Sequence, residues 1–288
     1  MKSPGQESEN EIEIQPADCI LIHVPKLLEH DSLLGWHSKV NFIAMGMYSL
    51  VEELEKAGFA SHILNLATEK TINPKFSLAK HVKDSGAAVA AFSLHWHPQT
   101  YDSNEAARHL KEDNPDVFIV FGGYTSSYFA KDILESYPFI DAVIRGEGEK
   151  PLSELVNKIL NKNLDLSTVP NLVWRNNEGS ITENQITFIA TSEDISNWSF
   201  STIDKVKNYE TYVNLEWMVP WEKAARVLLN LEKTPTIFGI CFGRGCPGTC
   251  TWCGGSYKTI QNITGRCNTV WRAPDKIRDT LNTIQTKL

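Results

Sequence analysis

Between residues 18 and 160 the chain repeats one pattern, and no other feature narrows its possible folds as much. A short apolar run, a loop and an amphipathic stretch follow one another along this half. The apolar runs fall at 19–24, 61–66, 88–93, 117–121 and 142–145. Runs this short and this continuously apolar suit strands covered on both faces, the environment of a parallel sheet. Helical periodicity fills about 40–57, 75–84, 101–113, 126–136 and 150–160. Gly58 follows the first of these as a stop signal. Pro151 falls in the first turn of the last, where a missing N–H costs little. Five strands alternating with five helices predict an α/β fold, a flavodoxin-like doubly wound parallel sheet whose ligands sit at the carboxyl ends of the strands.

From about residue 161 the rhythm changes. Residues 171–181 read as a β-hairpin turning at 176–179. Beyond it, to about 235, Trp198, Trp217 and Trp221 stand among polar residues without periodicity, as in a linking region packed between two domains. An apolar run at 236–241 then leads into a cysteine loop, and a helical stretch over 274–284 follows. Strand, loop and helix read as one β/α unit. The expected organisation is a loose tail over 1–16, an α/β domain over 17–160, a linker with a hairpin over 161–235, and the start of a second domain over 236–288.

Composition excludes several classes of partner. The 288 residues are 42% hydrophobic and 22% charged, a globular balance. Their net charge of −7 is spread without long single-sign blocks, which argues against nucleic acid, since phosphate binding needs a basic face. No apolar run approaches the ~20 residues of a membrane span. The polar, acidic start lacks the apolar core of a secretory signal, so the expected location is the cytoplasm. There the 6 cysteines stay reduced.

Three of those cysteines, Cys246, Cys250 and Cys253, stand in a Cys-x3-Cys-x2-Cys spacing with glycines on both sides and Trp252 before the third. Thiolates packed so closely in a flexible loop converge on one metal centre. Core packing gives no reason for the arrangement. An iron–sulfur cluster and a zinc ion both use such ligands. Zinc would draw its fourth ligand from Cys267, although the second Cys-x2-Cys pair usual in zinc knuckles is missing. Cys19 and Cys241, at the ends of apolar runs, read as small core residues.

Four loops at the expected carboxyl ends look ligand-like. They are the long loop 25–39; 93–97 with Ser93, His95 and His97; 122–127 with Gly122, Gly123 and Tyr124; and 146–149 with Gly146 and Glu147. Paired glycines after a strand let backbone approach a flat ligand closely. His95 and His97 read either as a metal pair or as polar loop residues. Glu147 and Glu149 read either as an acid/base pair or, for Glu149, as a charge favoured at a helix N-terminus.

Residues 243–255 resemble the cluster loop of the radical S-adenosylmethionine (SAM) enzymes. That resemblance implies a [4Fe–4S] cluster on Cys246, Cys250 and Cys253, with one iron open to the amino and carboxylate groups of SAM. Trp252 takes the place of the aromatic residue that borders the adenine, and Gly254 follows in the same loop as a cofactor contact. An electron from the cluster, supplied by a donor such as flavodoxin or ferredoxin, would cleave SAM to an adenosyl radical. Residues 17–160 resemble the cobalamin (B12)-binding domain that precedes the barrel in many radical SAM proteins. The match is best over 121–154, with Gly122-Gly123 and Asp141…Arg145-Gly-Glu-Gly-Glu149. It implies cobalamin contacts from Ser93, Gly122, Gly123, Tyr124, Gly146 and Glu147. The Asp-x-His-x-x-Gly signature that supplies a histidine to cobalt in the mutases is absent, since His30, Asp31 and Gly35 do not fit it.

Together the resemblances imply a cobalamin-dependent radical SAM enzyme acting at an unactivated carbon of a small molecule, by methylation, cyclisation or rearrangement. A barrel of that family needs further β/α units after the cluster loop. The expectation is therefore the front part of a longer enzyme, a truncated chain or one half of a split gene, with a second polypeptide completing the barrel. Such a chain would expose an open edge and turn over little alone. Two readings from other classes stand beside it: a cobalamin-binding carrier module with a vestigial cluster loop, and a zinc-stabilised interaction domain.

Overall fold

A computed structural model describes residues 15–26, 41–176, 178–214 and 238–288. The regular elements run β1 (Cys19–His23), α1 (Gly46–Lys56), β2 (Ser61–Asn65), α2 (Leu66–Ile72), α3 (Leu78–Ser85), β3 (Val89–Ser93), α4 (Thr100–Asp113), β4 (Phe118–Gly122), α5 (Tyr124–Tyr128), α6 (Ala130–Ser136), β5 (Ala142–Ile144) and α7 (Glu149–Leu160). They continue with β6 (Leu172–Arg175), β7 (Ile181–Glu183), α8 (Ser192–Asn197), α9 (Tyr209–Tyr212), β8 (Gly243–Arg244), α10 (Tyr257–Thr264), β9 (Val270–Trp271) and α11 (Pro274–Lys287).

Strands β1 to β7 form one sheet in the order β2-β1-β3-β4-β5-β6-β7. The first five are parallel, each apolar run of the first half supplying one, and β6 and β7 join antiparallel at the far edge. The order 2-1-3-4-5 is that of flavodoxin-like doubly wound sheets, in which the chain leaves β1 in one direction to β2 and returns on the other side to β3. Alternate residues of β1 serve two cores. Cys19 and Leu21 pack with Tyr48, Val51 and Leu54 of α1 and with Leu152, Leu155 and Val156 of α7. Ile20 and Ile22 pack with Val82 of α3, Leu110 of α4, and Ile133 and Leu134 of α6. A strand buried on both faces has no polar position to offer, which is why these runs read as continuous hydrophobics.

The structure departs from the sequence expectations at several elements. Within the stretch read as helix 40–57, the helix begins only at Gly46. Backbone groups before it have distant partners: Ile43 N–H donates to the Tyr212 hydroxyl at 3.0 Å, and Asn65 Nδ2 donates to Asn41 O at 2.9 Å. The stretch read as helix 126–136 is two helices that break at Phe129. Helix α2 was not expected. It follows β2 without a loop, because the Asn65 side chain ends the strand and accepts from Ala67 N–H and Thr68 N–H. The hairpin extends the main sheet, and residues 190–212 lie on its α1/α7 face, where Ala190, Ile195, Trp198, Phe200, Ile203, Val206 and Tyr212 join the core. This segment, expected as a linker packed between two domains, packs on the sheet. Val206 also bridges Ile63, and Lys207 N–H donates to Ile63 O at 2.8 Å, so the β2 edge is covered.

The strand expected over 236–241 falls partly outside the described residues, and its described part, 238–241, joins no ladder. Arg272 takes the carbonyls there instead, through its guanidinium to Cys241 O at 3.1 Å and its N–H to Phe242 O at 2.9 Å. The strand that does form, β8, pairs antiparallel with β9 as a two-residue ribbon. Helix α10 between them was not expected; α11 matches the stretch read over 274–284 and runs on to Lys287. Most of the tail, most of the loop 25–39, Trp217 and Trp221 lie outside the described residues. No described helix is long and apolar enough to cross a membrane.

Candidate functional site

A cavity of about 710 Å³ opens at the carboxyl edge of the sheet. Its floor is made by strand ends: Leu21 of β1, Phe92 and Ser93 of β3, Phe121 and Gly122 of β4, and Ile144 of β5. Phe42, Met45 and Met47 at the start of α1 form one side, and the Gly146–Glu149 turn another. The far wall comes from the C-terminal segment, through Cys241, Arg244, Gly254, Gly255, Ile260 and Arg266. Volume and an apolar lining with few polar groups are those of a cofactor site, at the place where a doubly wound sheet binds ligands.

The two glycines after β4 have different reasons to be glycine. A Cβ on Gly122 would meet nothing within 4 Å, so the backbone there borders open cavity. Gly123 has φ +100°, and a Cβ on it would lie 2.9 Å from the Leu94 carbonyl carbon and oxygen. Only Gly122 is shaped for a ligand; Gly123 is required by the chain itself. Gly146 also has positive φ, +71°, and a Cβ on it would lie 3.1 Å from Thr264 Cα of α10.

The carboxylates of the Gly146–Glu149 turn hold the C-terminal segment. Glu147 accepts from Arg244 Nη1 at 3.0 Å, Arg266 Nε at 2.7 Å and Ala190 N–H at 2.8 Å. Glu149, 2% exposed, accepts from Ser49 Oγ at 2.7 Å and pairs with Arg244 Nη2. Burial opposes ionisation of Glu149, but Arg244 and Ser49 hold its carboxyl below the usual carboxylate range. Burial likewise opposes the charge on Arg244, whose pKa Glu149 and Glu147 nonetheless raise. The guanidinium also lies over Trp198, 5.2 Å from its ring centroid. Both carboxylates are engaged by arginine, which leaves neither placed as the proton donor of an acid/base pair. Arg244 and Arg266 were missed in the sequence; the only signal was that two arginines flank the cysteine motif.

Among the cysteines, Cys246 and Cys253 are half-buried and Cys250 is exposed. Gly248 N–H donates to Cys246 Sγ at 3.4 Å and Gly255 N–H to Cys253 Sγ at 3.3 Å. A Cβ on Gly248 would lie 3.5 Å from Cys246 Sγ and 3.7 Å from Cys250 Sγ, so that glycine leaves room between two thiols. Soft thiols with no carboxylate among them, supported by backbone N–H groups, fit the donor set of an iron–sulfur cluster. Among the described residues no three His, Cys, Asp or Glu side chains stand where one ion would join them. Thiolates bound to separate irons do not share one ion's coordination sphere. Cys267 is exposed, its sulfur paired with Gly265 O and Gln261 Nε2, both at 3.3 Å, in no such group with the other three.

Structure brings other predicted residues together. Tyr124 donates its hydroxyl to Gly254 O at 2.6 Å. Ser93, His95, Gly122, Gly123, Tyr124, Gly146, Glu147 and Gly254 all line the cavity. Trp252, 88% exposed, does not line it. His95 packs its ring on Trp96, with centroids 4.7 Å apart, and burial lowers its pKa. His97 is exposed at the start of a 3-10 turn, so the two histidines do not form a pair.

A 2-1-3-4-5 sheet with an apolar cavity at its carboxyl edge, walled by a cysteine loop, is a doubly wound α/β fold with its cavity where such sheets bind ligands. The chain matches the family model of the B12 binding domain over residues 33–156. It is 30% identical over 145 residues to the anaerobic magnesium-protoporphyrin IX monomethyl ester cyclase of Synechocystis sp., covering 50% of this chain and 24% of the cyclase. To the hopanoid C-3 methylase of Methylococcus capsulatus it is 27% identical over 136 residues, 47% of this chain and 25% of the methylase. Two solved structures share the fold. The radical SAM methyltransferase TsrM of Kitasatospora setae, with tryptophan and a SAM analogue bound, superposes with a TM-score of 0.61 at 16% identity over 94% of this chain and 46% of its own. The cobalamin-dependent SAM radical enzyme OxsB, with aqua-cobalamin and SAM bound, gives 0.61 and 16% over 94% of this chain and 32% of its own. The chain thus spans about a quarter of these curated relatives and less than half of the solved ones.

Proposed function

We propose that this chain binds cobalamin in the cavity and a [4Fe–4S] cluster on Cys246, Cys250 and Cys253, whose open iron takes SAM. It would do so within a methyltransferase or cyclase acting at an unactivated carbon of a small molecule. One observation carries the reading: the cavity of the B12-binding domain and the cysteine loop share a wall at Gly254 and Gly255. A cofactor in the cavity and one on the loop would be held on either side of that wall. When bound, the cluster supplies the electron that cleaves SAM, and cobalamin supplies a methyl group or a second redox centre.

The chain's own residues do the rest. Gly122 admits the flat face of the ligand, and Phe42, Met45 and Phe92 exclude water beside it. Arg244 and Arg266, anchored on Glu147 and Glu149, fix the loop's distance from the sheet. Gly248 N–H and Gly255 N–H hold two of the sulfurs. Trp252, exposed on the loop, would border the adenine of SAM. An external one-electron donor such as flavodoxin or ferredoxin belongs to this reading, as does a cytoplasmic location.

Anaerobic reconstitution with iron and sulfide, followed by titration with hydroxocobalamin, tests it. One cluster and one cobalamin per chain are expected, and Cys250→Ala should abolish the cluster while leaving cobalamin bound. Cobalamin without iron would instead identify a carrier module. Stoichiometric zinc in a colourless, aerobically purified chain would identify a zinc-stabilised domain.

A further inference from the structure

Tyr124 opens α5 directly after Gly123, so the end of β4 fixes its backbone. Its side chain leaves that edge, and its hydroxyl donates to Gly254 O, |i−j| of 130 along the chain. Gly254 follows Cys253, whose sulfur accepts from Gly255 N–H at 3.3 Å. Thiol and carbonyl therefore belong to one turn, and Tyr124 holds its carbonyl side. Among the described residues no other hydrogen bond joins residues 246–256 to the sheet; the arginine clamps lie on either side of this stretch, at 244 and 266. On the opposite side the Tyr124 ring lies 6.1 Å from the His95 ring, and the neighbouring Thr125 hydroxyl donates to His95 O at 3.0 Å. Tyr124, His95 and Gly254 all line the cavity.

A ligand seated in the cavity touches the same ring that holds the cysteine turn. We propose that Tyr124 is a positioning residue that couples the two sites, so that a ligand in the cavity and a cluster on the cysteine loop each strengthen the binding of the other. This rests on the function proposed above and extends it. Coupling between two sites is reciprocal: if the cluster fixes the turn, the turn fixes the phenol, and the phenol presents an ordered wall to the ligand. A phenylalanine would keep the ring and its packing and remove only the hydroxyl, which separates the tie from the wall.

Hydroxocobalamin affinity, measured by absorbance with the 288-residue chain before and after anaerobic iron–sulfide reconstitution, reads this coupling directly. In the wild type the reconstituted chain should bind about fivefold tighter, the scale of one net hydrogen bond. In Tyr124→Phe the iron content should match wild type, and the ratio of reconstituted to unreconstituted affinity should fall to about one. A urea transition as cooperative as that of the wild type checks that the variant folds. A Tyr124→Phe chain that keeps the wild-type ratio overturns the proposal. So does a wild type that loads both cofactors with a ratio of one, which leaves the functional reading intact. A wild type that takes up neither cofactor overturns both.

Discussion

Gly122 and Gly123 are adjacent, identical in sequence, and opposite in what they do. The sequence reading gave both the same reason, close approach to a flat ligand. The structure keeps that reason only for Gly122, where a Cβ would stand in open cavity; at Gly123 it would strike the Leu94 carbonyl at 2.9 Å. Substitution should separate them. Gly123→Ala should lower the stability of the unliganded chain by about 1–3 kcal/mol, the cost of a strained backbone position. Gly122→Leu should leave that stability close to wild type and remove cobalamin binding. Urea unfolding and a hydroxocobalamin titration on each variant decide the matter; a Gly122→Leu chain that binds normally would show that the ligand does not lie against β4. The difference was invisible in the sequence because φ is a property of the turn. Tyr124 and Gly254, or Glu149 and Arg244, were beyond reach for another reason: each member could be read as chemically interesting, but only the fold says that they meet.

Elements were more legible than contacts. All five parallel strands fall on the apolar runs, because burial on both faces leaves a continuous signature. Element ends were less so. The start of α1 is set by Tyr212 and Asn65, distant partners that compete for the backbone before Gly46. A similar long-range contact joins β2 to α3. His62 Nε2 lies 3.1 Å from His81 Nε2, and both rings are buried. Burial, aided at His62 by His81 and at both by Lys207, lowers each pKa from 6.5 to about 4, against an opposing pull from Asp84 on His81. An unfolded chain takes up protons on these rings near pH 6.5, the folded chain only near pH 4. Acidification through that window therefore favours unfolding: the stability is fully present above the unfolded value and is lost as pH falls through the folded one. On the order of 2–4 kcal/mol should disappear between neutrality and that lower limit. In a chain with both His62→Leu and His81→Leu the dependence should be shallower by that margin, since apolar side chains of similar bulk need no proton partner. Urea midpoints at neutral and mildly acidic pH measure the slope, and identical slopes in the two chains would remove the pair as its origin.

At the scale of the whole molecule, the sheet has its own two cores, whereas the C-terminal segment has none of comparable size. Of its residues only Val270 belongs to the buried cluster on the α1/α7 face, with Phe238 and Cys241 packed against it. Phe242 and Trp271 on the β8–β9 ribbon, 53% and 62% exposed, contribute little burial. Most of what binds this segment to the rest of the molecule is polar: Arg244 on Glu147 and Glu149, Arg266 on Glu147, and Arg272 on the carbonyl of Trp198. Attachment by buried charge has a consequence that attachment by apolar area lacks. Among the described residues Glu149 has no ion-pair partner but Arg244. Arg244→Met keeps most of the side chain's length and strands a buried carboxylate, which should cost about 3–5 kcal/mol. Removing the second charge as well, in Arg244→Met with Glu149→Gln, should restore part of that loss, because a neutral amide tolerates the same burial. Urea unfolding followed by tryptophan fluorescence compares the three chains. A double variant no better than the single one would mean that stranded charge is not the cost, and that the cavity's far wall stays in place for some reason other than the Arg244–Glu149 pair.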